Sequence, residues 1–409
     1  MNAVLNATKF FTFLLILALP NLSGEGGLEI AGMSLVKITA PIALGFSIIL
    51  ILLGRPIRFV TDFNVASLLY ISWVIFSYVW AVMPGSYDTN QAVDPLQAIN
   101  NNFYILLVSW LLLQIIETET DLKWSAFAYV LGAAWLIYLA ITSYQTGITV
   151  ERVDIKGHDP NELSVKVALA LPLMIYLMIN AQAKLYWIIG WIFVPFAIFS
   201  ILITASRTGA IVLVLGLLSF WVLPQRLGVW AKSIMLILAI TSLIMIASFV
   251  SPAAVERLLS TGSELSEGTL NERSIIWQYA FEVWQQHPIV GQGIGSFRRI
   301  INEYNVNLTA HNSFIGISVE QGIIGLLFYL AVLLVIAQYV IRLPSALKTL
   351  LSLLLGIVIL GQMSMTLQDR LYIWFIYTWS VLVFYVNNSV PNSYSWLLQQ
   401  HNSARLTTV

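Results

Sequence analysis

Cysteine is absent from the chain. That removes thiol catalysis, cysteine-held zinc, iron–sulfur clusters and any disulfide scaffold. Charge is scarce as well: 10% of the residues are charged, against about 25% in soluble domains. The 20 Lys and Arg balance 20 Asp and Glu, which leaves no basic excess to hold a nucleic-acid backbone. Glycine and proline are ordinary, at 24 and 13 residues, and no internal repeat is found, so fibrous and low-complexity readings fall too.

What fills the 409 residues is apolar: 58% are hydrophobic and the mean hydropathy is +0.83. A soluble chain of this size needs a mostly polar surface, which this composition cannot supply. The expected fold is therefore all-α, a single polytopic transmembrane domain over 1–409. Hydropathy marks about twelve spans, at 8–22, 36–54, 64–83, 101–117, 124–144, 163–181, 185–204, 208–223, 231–250, 314–338, 346–364 and 371–387. The first, led by Lys9, has no clean cleavage pattern after it and is read as a retained helix.

The cations orient the bundle. With both termini inside, Lys9, Arg55, Arg58, Lys123, Lys184, Arg226, Lys232, Arg342, Lys348 and Arg405 fall inward, as the positive-inside rule asks. Arg152, Lys156, Arg207, Arg257, Arg273, Arg298, Arg299 and Arg370 fall outward against it. Repeated breaches by arginine point to an anion on that side, or to ion pairs with Glu256, Glu272 or Asp369. The longest outward connection, 251–313 between spans nine and ten, carries an amphipathic helix over about 271–286. Asn271 is its expected N-cap, and Ile275, Ile276, Trp277, Ala280, Phe281 and Trp284 form its apolar stripe. Pro288 ends it.

Within these segments a few residues carry chemistry. Arg207 lies between two apolar runs, a depth at which a guanidinium needs water, an ion pair or a bound anion. Arg273 stands in the first turn of the loop helix, where free N–H groups and a planar guanidinium favour phosphate, although a plain surface arginine fits the same position. His311 is one of four histidines. It sits where a loop enters the membrane, suited to general-base work near neutral pH or merely to starting a helix. Asn312 caps the helix that follows, and Glu320 needs a partner or a role. His158 and Asp159 lack metal-site spacing, and Gly291-Gln-Gly-Ile-Gly295 follows no strand and is no dinucleotide loop. Without a nucleotide-binding motif, an outward-facing site needs a substrate that arrives already activated, as a lipid-linked diphosphate sugar does.

At this point the chain resembles the O-antigen ligase and polysaccharide polymerase superfamily of bacterial inner-membrane proteins. The matching pieces are Thr204-Ala-Ser-Arg-Thr-Gly209, Asn271-Glu-Arg-Ser-x-x-Trp277, His287-Pro-x-x-Gly-x-Gly-x-Gly295-Ser-Phe297 and Ala310-His-Asn-Ser-Phe314. Asp159-Pro-Asn161 fits as well, with Arg152 upstream. The resemblance implies an inverting glycosyl transfer at the periplasmic face of the inner membrane, without metal or other cofactor. The donor would be an undecaprenyl-diphosphate-linked glycan and the acceptor lipid A-core, as in lipopolysaccharide synthesis. In the polymerase branch the acceptor is another lipid-linked repeat unit. The resemblance also implies that Arg207 and Arg273 hold the diphosphate and that His311 activates the acceptor. Arg152, Asn161, Asn312 and Glu320 support the site or face the acceptor. A transporter of a lipid-linked anion is the reading from another class, but the paired broken helices and inverted repeats common in transporters are not seen.

Overall fold

A computed structural model describes residues 1–21, 28–30, 32–81, 95–145, 153, 155, 158–180, 183–222, 237, 251–252, 255–256, 273–302, 304 and 309–389. The expected span at 231–250 therefore lies almost wholly outside the described residues, and Arg152 and Asn271 lie entirely outside them. The elements of the described chain are helices, apart from a small hairpin of Glu29–Ile30 against Met33–Ser34 and an isolated bridge between Ile155 and His158. In order, the helices are α1 (Asn2–Ala18), α2 (Leu35–Leu52), α3 (Thr61–Phe76), α4 (Pro95–Ile115), α5 (Glu119–Gln145), α6 (Pro160–Asn180), α7 (Lys184–Ile203) and α8 (Arg207–Leu218). After them come α9 (Arg273–Gln286), α10 (Phe297–Asn302), α11 (Ser313–Ile341), α12 (Ser345–Ser364) and α13 (Leu371–Ser389).

Nine helices among the described residues are long and apolar enough to cross a membrane: α1 to α7, α11 and α12. Two expected spans fall short of that standard. α8 has 12 residues before a 3-10 turn through Val222, about 18 Å of α-helix against a hydrocarbon core of about 30 Å. α13 has 19 residues, but its tyrosines, tryptophans and terminal asparagines dilute its hydropathy. Its aromatic rings go inward instead: Tyr372, Trp374, Tyr377 and Trp379 are all buried. With α6, whose most apolar window is 94% buried inside the protein, α13 forms the centre of the bundle. A helix apolar on every side belongs there. Several polar tips in this core find partners, though the Tyr372 hydroxyl has none among the described residues. Tyr329 and Tyr377 hydroxyls lie 3.0 Å apart, Gln362 Nε2 donates to Tyr377 at 2.8 Å, and the Trp379 indole donates to Ser125 Oγ at 3.1 Å.

The two ends of the bundle differ in charge. At one end Glu117 pairs with Arg55 (2.8 Å) and Arg58 (3.2 Å), Asp121 with Lys9 (2.6 Å) and Glu119 with Lys123 (2.7 Å). Four of the ten cations expected inward, Lys9, Arg55, Arg58 and Lys123, thus gather with the acidic residues 117–121. α3 begins just after Arg58 and ends near Ser77, whose hydroxyl accepts from Ile294 N (3.0 Å). Its 16 residues separate the two ends by about 24 Å.

At the second end, loop helices α9 and α10 pack on the start of α11 around a small core of their own. Ile276, Ala280, Val283, Phe297, Ile300, Ile301, Ala310 and Val319 make up that core. The expected stripe on α9 is thereby corrected. Ile276 and Ala280 face the protein, and Val283 completes the face, whereas Ile275 and Phe281 are exposed. In a chain with lipid as well as protein for neighbours, an apolar side chain is no longer a marker of the core.

α11 is broken at Gly322, where φ is 65° and ψ −168°. The backbone groups released by the break are taken up by 288–293. Gln292 N donates to Val319 O (2.8 Å) and Gly293 N to Glu320 O (2.7 Å). In return Ile323 N donates to Pro288 O (2.9 Å) and Ile324 N to Ile289 O (3.3 Å). The Trp73 indole donates to Gln321 O at 3.0 Å. Irregular backbone in an apolar setting persists only where its polar groups are met in this way. The glycine-rich run is thus a clasp. A Cβ on Gly291 would lie 2.5 Å from the Glu320 carbonyl, a contact that no substituted residue can make.

Candidate active site

Three helix starts build the site. α6 begins at Pro160, whose missing N–H costs nothing there, and Asp159 Oδ1 accepts from Asn161 N (2.7 Å) and Glu162 N (3.3 Å). α8 begins at Arg207 behind Ser206, whose Oγ accepts from Gly209 N at 2.9 Å. The same hydroxyl donates to Asn161 Oδ1 at 2.7 Å, which fastens the α8 start to the α6 start. Ser164 and Thr204 hydroxyls, 2.9 Å apart, repeat the tie one turn deeper. α11 begins behind Asn312, whose Oδ1 accepts from Phe314 N (2.9 Å) and Ile315 N (3.2 Å). Ser313 Oγ donates to Met365 O (2.9 Å) and accepts from Leu367 N (2.8 Å), joining α11 to the link before α13.

Onto this frame the loop helix brings Arg273, its first residue. The Trp277 indole donates to Ala310 O at 2.9 Å, which pins α9 beside His311. Arg273 lies within electrostatic reach of both Arg207 and Asp159. Burial and the Arg207 charge lower its pKa, and Asp159 opposes them. His311 is in the same field. Burial first, then Arg273 and Arg298, push its pKa below the ordinary 6.5, while Asp159 pulls it up. The imidazole is therefore neutral at neutral pH, with a free electron pair to accept a proton. Two non-glycine residues among those described have positive φ, Ala205 (47°) and His311 (46°). One stands two residues before Arg207 and the other is the histidine itself. Backbone strain of this kind concentrates at functional sites.

Of the residues expected from the sequence, Arg207, Arg273 and His311 are thus brought together from three separate elements. Asn161 and Asn312 are beside them as frame, one receiving the Ser206 hydroxyl and the other capping α11. Arg152 lies outside the described residues. Glu320 is set apart from His311, about two turns along α11. Its Oε1 accepts from Phe297 N (3.1 Å) at the start of α10, and its Oε2 from Gln321 Nε2 (3.2 Å). The sequence reading left Asp159 and Arg298 without a role in the site. Both carry a signal that was on view, Asp159 as a helix cap before proline and Arg298 as one of the outward cations.

A second group of charges lies deeper. Glu162 pairs with Lys166 at 3.0 Å and with Arg370 at 3.5 Å, and Lys166 Nζ sits 5.3 Å from the centre of the Tyr372 ring. His158 is buried next to them, with no hydrogen-bond partner on either ring nitrogen among the described residues. Burial, and then the Lys166 charge, push its pKa down to about 4, so it is neutral at neutral pH.

Fold and site together define a polytopic helical membrane protein with cations and a neutral histidine gathered at one end of the bundle. Within it, residues 192–330 match the family model described as O-antigen ligase. The matched segment contains Arg207, Arg273, His311, Asn312 and Glu320, and it leaves Asn161 and Arg152 outside. No curated protein matches the chain.

Proposed function

We propose that this protein is an O-antigen ligase-type glycosyltransferase of the bacterial inner membrane. It moves a glycan from undecaprenyl diphosphate to lipid A-core at the periplasmic face. One observation carries the reading: Arg207 and Arg273, on different helices, act on each other, and Arg273 with Arg298 acts on a histidine kept neutral chiefly by burial. Asp159 offsets part of the repulsion at Arg273, and a bound anion would lower it further. The N-terminal ends of α6, α8, α9 and α11 add partial positive charge at the same place. A diphosphate fits that field.

The transfer then proceeds in one displacement. The acceptor hydroxyl oxygen attacks C1 of the donor sugar from the face opposite the diphosphate, and its proton passes to a ring nitrogen of His311. The bond from C1 to the phosphate oxygen breaks, its electron pair stays on the diphosphate, and the configuration at C1 inverts. Arg207 and Arg273 offset the charge that builds on the leaving group, an electrostatic contribution worth most in a water-poor site. Asn161, Ser206 and Asn312 hold the helix starts that aim these groups.

The test is reconstitution of the purified protein with a lipid-linked glycan, once with lipid A-core and once without it. Transfer to the core, and none without it, is the expected result. A ladder of lengthening lipid-linked chains in the absence of core would assign the polymerase reaction instead. Movement of intact donor across the vesicle membrane without product would assign a transporter.

A further inference from the structure

Beside His311 lies a partly open cavity of about 100 Å³, on a scale where one water needs roughly 10–15 Å³. Thr309 and Ala310, the two residues preceding the histidine, are in its wall. So are Tyr70 of α3, Glu320 and Gln321 at the break of α11, and Thr366, Gln368 and Asp369 of the link between α12 and α13. The cavity is therefore a meeting point of segments distant in sequence, next to the proposed base, and neither Arg207 nor Arg273 is in its wall.

Arg298 of α10 and Asn102 of α4 line it too, yet several acceptors in its wall are unmet. Gln321 Oε1, Thr366 Oγ1, Gln368 Oε1 and Asp369 Oδ1 are all buried and have no hydrogen-bond partner among the described residues. Gln321 as a whole is 3% exposed, and its amide nitrogen is held by Glu320, so its oxygen cannot turn away to find water outside. Buried polar atoms are almost always paired, and four unmet oxygens in one wall call for a ligand that brings hydrogens to them. The buried Tyr70 ring adds one apolar surface. Several hydroxyl donors arranged about a ring with an apolar face describe a sugar.

We propose that this cavity is the acceptor subsite: it binds hydroxyls of the saccharide that receives the glycan and turns the attacking hydroxyl toward His311. This rests on the glycosyltransferase reading above. Gln321, Thr366 and Gln368 are then specificity-determining residues, distinct from the donor-binding arginines. Clefts of this type bind by a few placed polar groups and discriminate strongly against a partner lacking the matching hydroxyl.

The test uses Thr366→Val and Gln368→Leu, with Gln368→Glu as a variant that keeps the shape of the side chain and its acceptor oxygen. Binding of purified lipid A-core to the full-length protein in detergent is measured directly, alongside binding of the lipid-linked donor. Lipid A without core sugars is the control that separates saccharide from lipid recognition. Thr366→Val and Gln368→Leu are expected to weaken core binding on the order of tenfold each, to leave donor and bare lipid A binding unchanged, and to raise acceptor KM more than they lower kcat. Gln368→Glu is expected to retain most core binding. Unchanged core binding in both apolar variants would make the cavity a water site and overturn the proposal. A loss confined to the donor would overturn it as well. If the wild-type protein binds core yet transfers nothing, the subsite stands and the reaction proposed above falls.

Discussion

Replacing Gly322 by alanine probes how the histidine is held. Gly322 occupies a region of backbone conformation essentially confined to glycine. An added Cβ would enter the van der Waals surface of the Ile289 carbonyl, which is backbone and cannot swing aside. The conformational strain is about 1–3 kcal/mol. Relieving the clash separates α11 from 288–289 and breaks the bonds of Ile323 N to Pro288 O and Ile324 N to Ile289 O, each worth about 1 kcal/mol. The combined cost is roughly 3–5 kcal/mol. It is confined to the clasp, because the other helices are joined elsewhere. Limited proteolysis should open the variant between 287 and 293 while circular dichroism shows an intact helical bundle. Glycan transfer should fall by roughly 150- to 5,000-fold, the rate equivalent of that energy. Gly45→Ala, where nothing lies within 4 Å of the new Cβ, should behave as wild type. Wild-type transfer and proteolysis in Gly322→Ala would refute the clasp.

Two further outcomes follow from the charges. His311 serves as a base only while neutral, so activity is retained down to its lowered pKa and lost as the pH falls through it. Arg273→Gln removes a charge that holds this pKa down, so the acid limb of kcat/KM should move to higher pH, and Asp159→Asn should move it lower; a shift in the opposite sense would contradict the assigned field. The Glu162–Lys166 pair has side-chain exposures of 7% and 1%. Glu162→Gln should therefore lower stability by about 3–5 kcal/mol, whereas Glu162→Gln with Lys166→Met should recover much of it, read by thermal unfolding in one detergent.

Long apolar runs made most helices legible from residue order, because twenty residues without charge have few other solutions. α8 and α13 were harder. One is too short for a span, and the other owes its central position to aromatic packing that hydropathy undervalues. The candidate site was legible through expected breaches: Arg207 and Arg273 fall where the expected orientation asks for no cations, and His311 falls just before an apolar run. Their convergence depends on the Asn161–Ser206 bond and on Trp277 reaching Ala310, contacts across long sequence separations that no local pattern encodes. The break at Gly322 was hidden for the same reason, since a glycine in an apolar run looks alike in a straight helix and in a clasped one. The cavity beside His311 draws on α3, α11 and the 366–369 link, and only the folded chain assembles it.

The central claim is that the arginines hold the donor and the histidine does the chemistry. It is tested most directly by measuring donor binding and product formation together in His311→Ala and Arg207→Ala. The account predicts that His311→Ala binds the lipid-linked glycan as wild type does while transfer falls by about 10²- to 10⁴-fold, and that Arg207→Ala loses donor affinity along with turnover. Full transfer by His311→Ala, or unchanged donor binding in Arg207→Ala, would contradict it.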